Sequence, residues 1–248
     1  MIENPGITCI IPFWNEGENL FMVLNEMKKV RNVSEIICID DGSDDENFKI
    51  LKSSYPEIKS LRLKKNRGKT GAIREGLKCA KGDFVLLLDA DLRNLNSAEI
   101  ERAVKAFNLA ENLDMLILRR INASFFVRLY RADVLFSGER LMRRSDLETI
   151  IDTLSVQGWQ LESAINNWMH TNGKVVAWMA HSGINKQKYI KWGFINGVRL
   201  DLKTYSDMIS ATGFNNLVKQ ILFFAKQEFR PLPAIRKNVK PVSVVETV

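Results

Sequence analysis

The chain has 248 residues, 46% of them hydrophobic, enough to bury the core of one large α/β domain and too many for a disordered polymer. Its formal charge of +7 favours anionic partners: a phosphate-bearing substrate, an acidic lipid surface or nucleic acid. No zinc-finger spacing or RNA-binding aromatic signature accompanies the basic residues, so nucleic acid ranks last of the three.

Ile7 to Pro12 is a β-branched run stopped by proline and reads as a first strand. Phe13 to Gly17 follows as a loop, and Asn19 to Val30 carries leucine, methionine and valine at helical spacing. Glu35 to Ile39 is a second strand running into Asp40-Asp41-Gly42-Ser43, with Asp44, Asp45 and Glu46 suited to a helix start. Ile58 to Leu63 is a third strand. Asn66-Arg67-Gly68-Lys69-Thr70-Gly71 then forms a loop into a helix over Ala72 to Ala80. The run from Asp83 to Leu88 is apolar on both faces after its first residue, as a central strand covered on both sides must be, and it ends at Asp89-Ala90-Asp91. This alternation predicts an α/β fold with a mostly parallel sheet wound on both faces. The polar segments after strands one, two and four would then lie on one rim.

That rim is where open α/β sheets bind ligands. Asp89 and Asp91 would repel one another there unless a cation stood between them, and hard divalent ions prefer oxygen ligands, so a metal-bound diphosphate is the natural guest. Gly68-Lys69-Thr70 looks like the end of a phosphate-binding P-loop, but that motif needs a glycine where this chain has Leu63. Cys9, Cys38 and Cys79 lie in apolar segments without ligand or disulfide spacing and read as buried thiols of a reducing compartment. Residues 1–5 show no signal-peptide pattern, and no apolar run nears the roughly 20 residues of a membrane span. The expected place is the cytoplasm, with peripheral contact at the cytoplasmic membrane face left open.

Taken together, Ile11-Pro12-Phe13-Trp14-Asn15-Glu16, Asp40-Asp41-Gly42-Ser43, Asn66 to Ala72 and Asp89-Ala90-Asp91 resemble, in order and interval, family 2 of the inverting nucleotide-sugar glycosyltransferases. The resemblance implies the GT-A fold, a three-layer α/β/α sandwich. It implies that Pro12, Trp14 and Glu16 line the nucleoside pocket, with Trp14 where tyrosine is usual. Asp40 and Asp41 would bind base and ribose, and Lys69 would lie near the donor. Asp89, Ala90 and Asp91 would hold the ribose and the diphosphate, with Asp89 and Asp91 as ligands of Mg²⁺ or Mn²⁺. Some lipid-acceptor relatives carry a further metal-ligating glutamine where this chain has Arg93, and arginine cannot ligate a metal.

Ser137 to Arg144 resembles the "Ser-Gly-Phe-Arg" segment of polyprenyl-phosphate glycosyltransferases such as dolichyl-phosphate mannose synthase, with Glu139 in place of phenylalanine. Arg119 and Arg140, whose guanidinium groups offer a bidentate fork, and Lys186 are the expected contacts to an acceptor phosphate. Asp89, Asp91, Arg140 and Glu162 form the expected catalytic set. A phosphate acceptor needs no general base, whereas a saccharide hydroxyl does, and Glu162 or Glu139 would supply it. His181 reads either as a structural residue or as a further metal ligand. Asn185-Lys186 resembles a family position where lysine approaches the phosphates on a flap. Phe214 to Phe229 carries an apolar stripe at helical spacing, either a helix packed on the domain or an interfacial helix on an anionic membrane. The simplest division is a catalytic domain over 1–213, with donor half 1–95 and acceptor half 96–213, followed by a helix and basic tail over 214–248. The expected activity is sugar transfer from a nucleotide-diphosphate-sugar to a polyprenyl-phosphate acceptor. The alternatives are transfer to a saccharide hydroxyl in envelope or polysaccharide synthesis, and a non-catalytic nucleotide-sugar-binding module.

Overall fold

A computed structural model describes residues 6–110, 112–121, 132–153, 160–184, 214–225 and 228–229. Seven strands, β1 (Ile7–Phe13), β2 (Glu35–Asp40), β3 (Lys59–Arg62), β4 (Phe84–Leu87), β5 (Met115–Arg120), β6 (Arg140–Arg143) and β7 (Val176–His181), make one sheet in the order β3-β2-β1-β4-β6-β5-β7. The first four strands pair in parallel, as the strand and helix alternation predicts, and β5 pairs with β7 in parallel. β6 runs against both neighbours, with Leu87 opposite Arg140 and Ile117 also opposite Arg140. The segment Ser137 to Arg144, expected on the acceptor side, therefore contributes an interior strand. Because β6 is antiparallel, its entry residues lie beside the carboxyl end of β4, where the rim is.

Both sheet faces are buried, for the reason the β4 run suggested. Cys9, Ile11, Leu86 and Leu88 turn to one side, where they pack with α1 (Glu18–Met27), α2 (Asn47–Ser54) and α4 (Ser97–Leu109) through Leu20, Leu24, Leu51, Ile100 and Val104. Ile10, Val85 and Leu87 turn to the other side. There they pack with α3 (Gly68–Leu77), α5 (Ala132–Leu135), α6 (Arg144–Thr153) and α7 (Gln160–Thr171) through Ile73, Val134, Ile150 and Ile165. A strand with helices on both faces has no solvent side, so its side chains need no polar alternation.

One boundary that differs from the sequence expectation moves a site residue. The third helix starts at Gly68 rather than Ala72. Asp41 Oδ1 accepts the Arg67 N–H at 2.7 Å and Asn66 Oδ1 accepts the Gly68 N–H at 3.0 Å, so side chains satisfy donors at the earlier start. Lys69 thereby moves from a loop to the first turn of α3. The C-terminal helix, α8 (Phe214–Ala225), packs on the second core through Ile221 and Phe223, with the Phe223 ring edge-on to His170 at 5.1 Å. Its Val218 and Leu222 remain exposed. Among the described residues, no helix is long and apolar enough to cross a membrane.

Candidate active site

The loops after β1, β2 and β3 are tied to one another by short polar contacts. Asn15, in the left-handed region at φ 52°, donates its N–H to Ser43 Oγ at 3.0 Å, and its own Oδ1 accepts the Asp44 N–H at 2.9 Å. The Asp41 N–H continues the β1 pairing to Phe13 O at 2.9 Å. Gly42, at φ 76°, lies against the next loop so closely that a Cβ would stand 3.0 Å from Asn66 N and from Lys65 C. Only glycine suits both that dihedral and that approach.

Asp40 is fully buried and already committed: Oδ1 accepts the Ser43 N–H at 2.8 Å, and Oδ2 pairs with Arg62 Nε at 3.2 Å. It shapes the loop from within. Asp41 stands one residue nearer the rim. Burial, reinforced by the charge of Asp40, pushes its carboxyl above the usual aspartate range, against the lowering effect of the Arg67 and Gly68 N–H groups. Trp14 leaves its ring half exposed on the loop after β1, Glu16 is partly buried there, and Pro12 is a partly buried member of β1 opposite Ile39. An open indole face at this place suits a planar base.

Lys69 joins the two halves of the chain. Its Nζ lies 2.7 Å from Asp89 Oδ1 and donates to Glu162 Oε1 at 2.9 Å, across 93 residues of sequence. Burial works against the ammonium, but Asp89 and Glu162 outweigh it and hold Lys69 charged, well above the usual lysine range. Gly138, two residues before β6, closes the other side. A Cβ there would lie 2.6 Å from Lys69 Nζ and 2.7 and 2.9 Å from the Asp89 carboxylate oxygens. Because Arg67 binds Asp41 while Lys69 binds Asp89, the stretch from Arg67 to Lys69 links the β2 and β4 motifs directly. Asp91, partly exposed, sits in the turn after Asp89, and Ala90 between them is buried. Of the strand-end carboxylates, Asp89 is thus joined to Asp41 through the first turn of α3.

The acceptor-side expectations fare differently. Arg140 does not face a ligand: it is fully buried, with Nε donating to Ser137 O at 2.8 Å, one terminal nitrogen to Asn166 Oδ1 at 2.7 Å and the other to Leu135 O at 2.8 Å. Burial lowers it from the usual 12.5 to about 10, opposed by Glu162 and Glu139, which leaves it protonated at neutral pH. Its guanidinium ties α5, β6 and α7 together beneath Glu162, a positioning part in place of the expected contact to phosphate. Arg119 is likewise held, donating from Nε to the buried Asp133 and lying 4.9 Å from the Trp178 ring centroid. Glu139 is fully buried and accepts the Ser137 hydroxyl at 2.6 Å, so it presents no carboxylate to an acceptor.

His181 is buried where β7 ends, bordered through Gly183 by Leu92, and its Nδ1 accepts the Gly183 N–H at 3.2 Å. Burial pushes its imidazole below the usual range, despite the opposing pull of Glu139 and Glu99. The segment after it pairs with the turn after Asp91 through two 2.8 Å backbone bonds between Arg93 and Ile184, while the Arg93 side chain is exposed. Lys186 and Asn185 lie outside the described residues. Sequence reasoning missed Gly138 as a site residue and missed the pairing of Glu162 with Lys69. The signal for the first was present in Ser137-Gly138, a small pair at the mouth of a strand.

The chain is similar to curated relatives and to solved structures. The chain is 38% identical over 105 residues to a dolichyl-phosphate beta-glucosyltransferase of Dictyostelium discoideum, covering 36% of this chain and 32% of that one. It is 30% identical over 154 residues to an undecaprenyl-phosphate 4-deoxy-4-formamido-L-arabinose transferase of Edwardsiella ictaluri, covering 59% and 46%. It spans about a third of the length of the curated relatives it matches first. Glucosyl-3-phosphoglycerate synthase from Mycobacterium tuberculosis, solved with Mn²⁺, uridine diphosphate and phosphoglyceric acid, superimposes with a TM-score of 0.64 at 16% identity, over 88% of this chain and 78% of that one. At that identity the likeness establishes the shared GT-A fold. The model for Glycosyl transferase family 2 matches residues 8–156, well over half of the chain and every rim loop from Trp14 to Gly138, and the chain belongs to that family.

Proposed function

We propose that this chain transfers a sugar, with inversion, from a nucleoside-diphosphate-sugar to a polyprenyl phosphate. The observation that carries this reading is the ledge: three hydrogen-bonded loops meeting the Asp89 carboxylate, with Asp91 in the turn just after it and Lys69 between donor side and acceptor side. Trp14, Pro12 and Glu16 would flank the base, and Asp41 would take a base or ribose donor group, with Asp40 holding its loop. The names of the curated relatives, which specify dolichyl and undecaprenyl phosphates, support a lipid-linked phosphate as acceptor.

Among the described residues no three His, Cys, Asp or Glu side chains gather into a metal cage. One or two carboxylates completed by substrate phosphates and water is nevertheless how Mg²⁺ is usually held, so Asp91 with Asp89 fits a Mg²⁺ or Mn²⁺ ion that arrives with a diphosphate. Such an ion supplies Lewis-acid neutralisation of the charge that builds on the departing diphosphate. The chain's own contribution is orientation and counter-charge: Lys69 adds a fixed ammonium, and the paired loops hold the nucleoside. The acceptor phosphate oxygen forms its bond to the anomeric carbon from the face opposite the diphosphate, whose bond breaks with its electron pair. An ionised phosphate has no proton to lose, so Glu162 is free to remain in its ion pair with Lys69.

One observation favours a hydroxyl acceptor instead: Glu162 Oε2 is buried without a hydrogen-bond partner, as a base awaiting a proton would be. Incubating the chain with labelled uridine- and guanosine-diphosphate sugars, Mn²⁺, and either undecaprenyl phosphate or a saccharide panel separates the two. Label should enter the lipid, vanish with chelator, and fall at least about a hundredfold in Asp91→Asn without loss of fold. Wild-type turnover by that variant would remove the ledge from the mechanism. We also infer peripheral contact with an anionic bilayer, supported by the exposed Val218, Lys219 and Leu222 of α8. Flotation with phosphatidylglycerol vesicles, lost in Leu222→Glu, tests it.

A further inference from the structure

Lys69 occupies ground that a divalent ion would contest. Its Nζ stands 2.7 Å from Asp89 Oδ1, a carboxylate placed above among the ligands of the metal, and 2.9 Å from Glu162 Oε1. The three side chains are enclosed: Lys69 is 25% exposed, Asp89 19% and Glu162 4%. Gly138 presses on both Lys69 and Asp89 from the β6 side, where a Cβ would lie 2.6 Å from Nζ. In such a recess solvent screens the charges less than at an open surface. An ammonium this close to a carboxylate oxygen and a divalent ion on the same carboxylate would repel one another, so one must move for the other to bind.

We propose that Lys69 is a resident counter-cation that keeps the divalent ion from settling on Asp89 until a diphosphate brings it. Diphosphate oxygens then give the ammonium a new partner, and Lys69 turns from Asp89 towards them while Glu162 keeps hold of its other side. The metal and the nucleotide therefore bind as one unit, and each strengthens the other by the same factor. The inference rests on the donor-site reading above, but it concerns the nucleotide-free protein. Glu162 gains a role that needs no proton transfer: it anchors the lysine within reach of both positions.

The test is Mn²⁺ binding to the full chain, followed by the electron paramagnetic resonance signal of the free ion, with and without uridine or guanosine diphosphate. Wild type should bind the bare ion weakly and take it up once one of the nucleotides is added. Lys69→Gln and, as a second neutral variant, Lys69→Met should bind bare Mn²⁺ at least about tenfold more tightly, as removal of a unit positive charge within contact distance predicts. Lys69→Arg, which keeps the charge, should behave as wild type. Equal affinities for bare Mn²⁺ in wild type and in whichever neutral variant melts cooperatively would overturn the proposal. Asp91→Asn separates the two readings. If nucleotide-dependent Mn²⁺ binding survives that substitution, the donor site is misplaced and this inference falls with it. If binding is lost there while the Lys69 variants match wild type, only the counter-cation role falls.

Discussion

Substituting Gly138 with alanine probes the joint between β6 and the β4 carboxylates. The added methyl would stand 2.7 and 2.9 Å from the Asp89 oxygens and 2.6 Å from Lys69 Nζ. Ordinary contact begins near about 3.4 Å, so the carboxylate must retreat by about half an ångström or more. The lysine end can swing aside at little cost, but Asp89 sits on a short side chain at the end of a buried strand and carries the displacement into the site. Overpacking of this kind costs about 1–3 kcal/mol, which for a chain of this size lowers the melting temperature by about 2–12 °C. Misplacing a catalytic group by about an ångström costs about a hundredfold in rate. Activity should therefore fall far more than stability accounts for. The assay pairs a thermal melt with initial rates of sugar transfer at saturating donor and acceptor. A variant that melts as wild type and turns over within about threefold of it would refute the packing argument.

Other perturbations read different parts of the structure. Arg140→Met strands the Ser137 and Leu135 carbonyls and Asn166 Oδ1 in the interior, so the melting temperature should fall by about 6–20 °C, from a cost of about 3–5 kcal/mol; an unchanged melt would show that the guanidinium is not built into the core. Folding raises the Asp41 pKa, so the folded chain holds that proton more tightly than the unfolded one, and the associated stability is present below the ordinary value of 3.8 and lost as pH rises through the folded value. Asp41→Asn should accordingly melt higher than wild type at neutral pH while binding nucleotide more weakly, with the gap in melting temperature closing towards 3.8; a gap independent of pH would contradict this. Burial pushes the Cys9 and Cys38 thiols well above the usual range, whereas Cys79 is only half buried, so iodoacetamide should label Cys79 alone in the native chain and all three cysteines after unfolding. Rapid labelling of three thiols under native conditions would contradict the placement of β1 and β2.

The parts of the site legible in the sequence are those whose position follows from local pattern. Cys9 to Ile11, Ile37 to Ile39 and Val85 to Leu88 announce strands by their run of apolar side chains, and in a parallel sheet a residue after one strand lies on the same rim as a residue after the next. Trp14, Asp41 and Asp89 could therefore be set on one ledge before any contact was known. Arg140 and Arg119 could not be assigned in this way. A charged side chain is costly to bury, so arginines near a phosphate motif read as ligands for an outside anion. The folded chain instead supplies carbonyls, Asn166 and Asp133 as their partners.

The order of residues alone determined the alternation of strands and helices, the family to which the chain belongs and the rim on which its polar motifs meet, because periodicity and turn chemistry act over a few residues. Tertiary structure alone decided that β6 runs antiparallel beside β4 and brings Gly138 onto Asp89. It alone decided that Lys69 reaches Glu162 across 93 positions and that Arg140 faces inward. Those outcomes depend on which distant surfaces pack together and on how a buried charge finds its partners, and no local spacing encodes either.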